Sequence, residues 1–404
     1  MILALLSLFC LLYSIKRNGT RSLMTLGIAC TSIYALPAMF NLTAPQQYIP
    51  TGESRYFIEP LPLTVYMYCL YFVFLILNLK LLGPNRTFDY SQRSRMGMVI
   101  SLYISLLAWV GINVVNDGIT FFLQPRFSLT GSVLEMILKW SIPLAIFYGV
   151  ITKNKIRFVG FIFLFLQFMT GDRTVLAITL VGFVYLSITQ SYSLKIYFKP
   201  RFFLLGFGAF FLVVFGKPIY RVVKSGSFEY FLKFLTYDSV IMVLTAFEPI
   251  SIFNHFDFTV RDNIWMSPFD FFWSVFGNFI VAPSAIGINV NQTNLYLMDA
   301  YPKIITNGIG GSYLANAWMM GRVLGLYIFS LIFLGVLHFS DVYAQRKQSF
   351  LASIFVLLGA LMAVYSHRNG LGNILAFYRQ IGLVCCVIMG VKIAVQLLKV
   401  RKND

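Results

Sequence analysis

Histidine and acidic residues are scarce in this sequence. Three His in 404 residues (His255, His338, His367) are too few for a multi-His metal site. The five Cys (Cys10, Cys30, Cys69, Cys385, Cys386) all fall inside apolar runs without metal-ligand spacing, so they read as small buried hydrophobes. Charge of either sign makes up only 12% of the chain, against 58% hydrophobic and 17% aromatic. That composition excludes a soluble domain and implies a polytopic membrane protein. There is no repeat of fixed period, no heptad pattern and no low-complexity tract. The opening run Met1 to Tyr13 lacks a basic start and a small-residue cleavage site before Lys16, so it reads as a first span rather than a signal.

Long apolar runs are what the chain has in quantity. Stretches able to cross about 30 Å of hydrocarbon occur at 1–15, 22–40, 61–82, 97–115, 133–151, 157–170, 174–190, 202–216, 313–337, 349–366 and 374–397. The expected fold is therefore an all-α integral membrane protein of about 11 transmembrane helices forming a single polytopic membrane domain over 1–404.

The net charge of +17 follows this topology and is not a surface for nucleic acid. Taken alternately, the loops place about 18 of the 32 Lys and Arg on one side, and about 12 of the 15 acids on the other. The basic side includes Lys16, Arg17 and Arg21; Lys80, Arg86, Arg93 and Arg95; Lys153, Lys155 and Arg157; and Arg346 with Lys347. Basic loops stay in the cytoplasm, which puts the N terminus outside and the C terminus inside.

The longest outer segment, 217–312, carries Arg, Glu, Asp, His, Trp and Tyr densely, and a loop of that length is expected to be folded and functional. It reads as a partly helical cap over an active site at the membrane face. Ser227 is suited to cap a helix through about Phe247, and Ser267-Pro268 begins a second candidate, from Phe269 to Val281. Trp265 and Trp273 suit a helix lying in the interface.

Candidate site residues lie at this outer level. The turn Thr170-Gly-Asp-Arg-Thr174 offers free N–H groups and the positive end of a helix to an anion, and Arg173 adds a bidentate donor; alternatively Asp172 caps the helix and pairs with Arg173. Arg221 with Lys217 and Lys224 supplies a second cationic point for a diphosphate leaving group, or for lipid headgroups. Glu248 and His255 are candidate general bases, with a carboxylate to orient the imidazole, or else structural loop residues. Arg322 and Arg379 fall within spans, where a charge needs a partner or a wet cavity, and Arg322 suits a groove for a lipid phosphate. The turn His367-Arg368-Asn369 is a weaker cluster, and Lys139 either snorkels or pairs with Glu135.

With about eleven spans, basic inner loops and one large late outer loop, the chain resembles the oligosaccharide repeat-unit polymerases, the Wzy-type O-antigen polymerases of bacterial inner membranes. In residues the likeness rests on Phe168-Met-Thr-Gly-Asp-Arg173, on Arg221, and on Gly310-Gly-Ser-Tyr-Leu-Ala-Asn-Ala-Trp-Met-Met-Gly321. The paired motifs with Gly eleven residues after Arg, found in some members, are absent: Leu232 and Phe272 stand there after Arg221 and Arg261. The resemblance implies a metal-independent glycosyltransferase with a GT-C-like fold and no cofactor. It would move glycan from undecaprenyl diphosphate to another lipid-linked repeat unit, alongside a chain-length regulator and a flippase. It gives Arg173 and Arg221 to the donor diphosphate, and Glu248 or His255 the base role by position alone. The O-antigen ligase, which delivers finished chains to lipid A core, is the nearest rival, and a transporter the more distant one.

Overall fold

The computed structural model describes residues 1–40, 61–83, 94–118, 132–170, 172–190, 248–280, 283–288, 296, 312–346 and 349–400. Among these residues the chain is helical throughout, without a strand. A helix covers each apolar stretch named above except 202–216, which lies outside the described residues, as does the helix expected from Ser227 to Phe247.

In chain order the helices are α1 (Ile2–Asn18), α2 (Leu23–Tyr34), α3 (Leu36–Phe40), α4 (Pro62–Leu81), α5 (Met96–Asp117), α6 (Val133–Leu138), α7 (Ser141–Ile151), α8 (Ile156–Met169) and α9 (Arg173–Gln190). The 217–312 segment contributes α10 (Glu248–Arg261) and α11 (Pro268–Phe276), and α12 (Tyr313–Arg346), α13 (Ser349–Tyr365) and α14 (Leu371–Val400) complete the described set. Among the described residues, five stretches are long and apolar enough to cross a membrane: Pro62–Leu81, Met96–Asn116, Val133–Ile151, Tyr313–Gln345 and Leu371–Leu398. The protein is thus an α-helical membrane protein.

Three runs expected as continuous spans are broken, and proline accounts for two. Pro37 cannot donate to the carbonyl of Ile33 and its ring crowds that turn, so α2 stops at Tyr34 and α3 restarts. Pro143 likewise cannot serve the Lys139 carbonyl, which accepts from Ile142 N instead, and the run divides into α6 and α7. The third break falls inside α12, at Arg322 (φ 53°, ψ −127°), with no proline present.

Two compact units share the chain. The first comprises Met1–Arg86, Tyr237–Phe339 and Leu361–Arg379; the second comprises Thr87–Thr236, Ser340–Ala360 and Gln380–Asp404.

In the first unit, α1 shows a lipid-type surface on one side, with Ile2, Leu5, Leu8, Phe9 and Leu12 exposed at helical spacing. Its other side buries Leu3, Ser7, Cys10 and Ser14. Ser7 Oγ donates to Ser32 Oγ (2.8 Å), and Ser14 Oγ shares a hydrogen bond with Thr25 Oγ1 (3.0 Å), so small polar residues hold α1 to α2. Gly27 lets α2 approach α12 closely: a Cβ there would stand 2.5 Å from Leu337 Cδ1. Arg17 Nη2 donates to the carbonyls of Lys80 (3.1 Å) and Leu82 (2.8 Å), serving the free C-terminal end of α4.

In the second unit α7 is the centre, with every residue from Ser141 to Ile151 buried against α5, α8 and α9. Tyr148 Oη accepts from Arg95 N at 2.9 Å and so fixes the start of α5.

Candidate functional site

The described part of the 217–312 segment packs on helices of the first unit. Helix α10 packs on α2, α3 and α4, with Ile252, Phe253, His255, Phe256, Asp257, Thr259 and Val260 all buried. The stretch expected as a loop around His255 is therefore a helix. Its apolar positions recur at helical spacing, and two rings of that face, Phe253 and Phe256, pack on Tyr68 (ring centroids 5.9 and 5.3 Å).

Asp257 joins this segment to the membrane helices. Its Oδ1 accepts from Leu61 N (2.9 Å) and from Thr64 Oγ1 (2.6 Å), while Oδ2 accepts from Arg261 Nη2 (3.0 Å). The start of α4, where Leu61 has no capping side chain and Pro62 has no N–H, is thus capped by a carboxylate from another helix. Both oxygens are engaged, so Asp257 does not orient His255. Residues two apart on a helix point to different sides in any case.

After α10 the chain turns at Asn263 (φ 53°) and meets α12. Met266 N donates to the Met319 carbonyl (3.0 Å), and Arg322 Nη2 donates to the Asn263 carbonyl (2.7 Å). Helix α11 begins where Ser267-Pro268 predicts: Ser267 Oγ accepts from Asp270 N (3.1 Å). Hydrogen bonds from Ser267 and then Tyr296 to its carboxylate hold Asp270 below the usual carboxylate range. Trp265, Phe269, Phe272, Phe276 and Phe279 are exposed and form the open apolar side of this segment. The buried side carries Asn278, whose Nδ2 donates to the Gly372 carbonyl (3.0 Å), and Arg379 Nη1 donates to the Ile280 carbonyl (2.9 Å). Arg379 is thus bonded to the cap, as a charge within a span requires.

The turn between α13 and α14 lies beside the same helix ends. His367 Nε2 is 3.2 Å from Thr31 Oγ1, and its ring stacks on Tyr34 at 5.0 Å. Burial pushes its pKa down to about 3, so the imidazole is neutral at any physiological pH and serves as a packing element. Arg368 is half-buried, with its guanidinium 5.8 Å from the Tyr365 ring. Asn316 Oδ1 accepts from Leu371 N (3.0 Å), tying α12 to the start of α14.

The Asp172 turn belongs to the second unit. Asp172 Oδ1 accepts from Thr174 N (3.0 Å); Oδ2 accepts from Gln167 Nε2 (3.2 Å) and pairs with Lys139 Nζ (3.5 Å). The N–H that the sequence offered to an anion is therefore taken by Asp172 itself, and Lys139 pairs with Asp172 across the unit. Asp172 acts as a cap that positions the start of α9. Asp172→Ala removes a cap and a charge-assisted bond together, with an expected loss of about 2 kcal/mol. Asp172→Asn retains the Oδ1 cap, so its melting transition falls between the wild type and the alanine variant.

Arg173 begins α9, and Glu248 begins α10, but their side chains lie outside the described residues, as do Arg221, Lys217 and Lys224 altogether. Of the residues that sequence reasoning left out, Trp318 matters most. It stands one helical turn before Arg322, a spacing that puts the two side chains on one face.

Comparison with protein-family models, with curated proteins and with solved structures finds no match to this chain.

Proposed function

We propose that the chain is an integral-membrane glycosyltransferase that polymerises lipid-linked oligosaccharide repeat units at the periplasmic face of a bacterial inner membrane. An acceptor hydroxyl on one undecaprenyl-diphosphate-linked unit attacks the anomeric carbon of the glycan on another. The sugar–phosphate bond breaks, the diphosphate leaves with the electron pair, and a base takes the hydroxyl proton. Arg173 and Arg221, with Lys217 and Lys224 near the second, offset the charge that gathers on the leaving diphosphate. Arg322 and Arg368 are further cationic contacts for substrate. Glu248 or His255 is the base. The fold behind this reading has about eleven spans in a GT-C-like arrangement, with the N terminus periplasmic and the C terminus cytoplasmic.

The observation that supports it most is the helical cap made by α10 and α11. A segment bearing carboxylate, imidazole, guanidinium and indole groups is folded onto one end of an otherwise apolar helix set. An enzyme working on a membrane-borne substrate needs polar groups gathered at such an end. A transporter instead needs them near the midplane.

The test is complementation of a strain lacking the gene. Arg173→Lys and Arg221→Lys preserve charge but lose the two-pronged donor, so each is expected to leave single-repeat products in place of long chains. Normal chain-length ladders from both variants, inserted at wild-type levels, would refute the diphosphate roles. Full-length chains accumulating on undecaprenyl diphosphate in the null strain would identify a ligase.

A further inference from the structure

Among the described residues, no carboxylate faces the guanidinium at the break in α12. Arg322 has one protein acceptor among the described residues, the Asn263 carbonyl on Nη2 (2.7 Å), and no carboxylate pairs with it. Its Nη1 is buried and has no acceptor among the described residues. The guanidinium lies 4.0 Å from the Trp265 ring centroid and 5.1 Å from that of Trp318. Trp318 is itself only 7% exposed, and its Nε1 is likewise buried with no acceptor among the described residues. Both groups are donors only, so neither can satisfy the other. Each such group left unmade costs about 1–3 kcal/mol, and the charged one more. The backbone at Arg322 holds φ 53°, a conformation that costs a non-glycine residue about 1–3 kcal/mol and tends to persist at ligand clamps.

An anionic oxygen would supply the acceptor that each of these donors lacks among the described residues. The surroundings narrow its class. Val323 and Leu324, directly after the break, are 43% and 63% exposed, and Trp265 is 55% exposed beside the open aromatic side of α11. A cation bordered by apolar surface at a break within a spanning stretch suits the part of a lipid where phosphate joins hydrocarbon.

We infer that the break in α12 is a binding site for a lipid-borne phosphate, with Arg322 Nη1 and Trp318 Nε1 as its donors and the Trp265 indole as its wall. Only the identity of the lipid rests on the proposed function. A polyprenyl diphosphate substrate and a bulk anionic phospholipid share the chemistry the site recognises.

The full chain in neutral maltoside micelles is titrated with farnesyl diphosphate, with short-chain phosphatidylglycerol and with farnesol, and binding is followed by microscale thermophoresis. Farnesyl diphosphate or phosphatidylglycerol binds, and farnesol does not. Arg322→Gln weakens binding by about tenfold or more, and Trp318→Phe, which keeps an aromatic face but loses the N–H together with the pyrrole half of the indole, by about threefold to tenfold. Preference for the diphosphate marks a substrate site; equal binding of both marks a structural lipid. Unchanged affinity in both variants, or farnesol binding as tightly as its diphosphate, overturns the inference. That failure leaves the chain-length assay on Arg173 and Arg221 standing. Loss of polymer in those variants with binding intact here separates the two in the other direction.

Discussion

Asp257→Ala lowers the stability of the chain by about 3–5 kcal/mol, the range expected when one partner of a buried charge pair is removed. Three contacts go together: the cap on Leu61 N, the Thr64 hydroxyl and the Arg261 guanidinium. The carboxylate side chain is only 6% exposed and that of Arg261 21%, so water replaces little of what is lost. Asp257→Asn keeps an acceptor for α4 and loses the charge opposite Arg261, so it costs less, about 1–2 kcal/mol. The measurement is the thermal transition of the purified chain followed by fluorescence-detected size exclusion. If Asp257→Ala melts with the wild type, the outer segment is not anchored through this residue.

Gly325→Ala is the second large effect. A Cβ at Gly325 would fall 1.9 Å from the Ala317 carbonyl oxygen, on the far side of the break at Arg322. A backbone atom cannot step aside as a side chain does, so the two halves of α12 must move apart, at a cost of about 3 kcal/mol or more. Gly335, in the same helix, has nothing within 4 Å of the corresponding position. Gly335→Ala therefore gains about 1 kcal/mol of helix propensity and raises the melting transition. Equal melting of the two alanine variants would show that α12 tolerates straightening. Gly325→Ala is also expected to reduce farnesyl diphosphate binding, because the break that sets Arg322 against Asn263 and Trp265 is disturbed.

The helices were largely legible because spans announce themselves by apolar length, and that signal survives tertiary context. Their interruptions were legible only in hindsight at Pro37 and Pro143, where the missing N–H is local information. The break at Arg322 has no proline to announce it: it goes with Gly325 meeting Ala317 across the kink and with Met266, from a distant part of the chain, taking the Met319 carbonyl. The capping serine of α11 was readable because a Ser-Pro start encodes its own geometry. A carboxylate to orient His255 was expected from the sequence, and Asp257 is the acidic residue nearest to it in the chain. The structure gives it instead to Leu61 and Thr64, and nothing local in the sequence signals that pairing.

Four hydrogen bonds fasten the α10–α11 segment to α12 and α14, from Met266 to Met319, Arg322 to Asn263, Asn278 to Gly372 and Arg379 to Ile280. At about 1 kcal/mol each these add about 4 kcal/mol to the hold of Asp257 on α4, so fewer than roughly one molecule in a thousand has the segment raised at any moment. A roof so rarely open makes a poor door. On the proposed function, a long-tailed substrate would therefore enter sideways, past the open rings of α11, and not through a lifted segment.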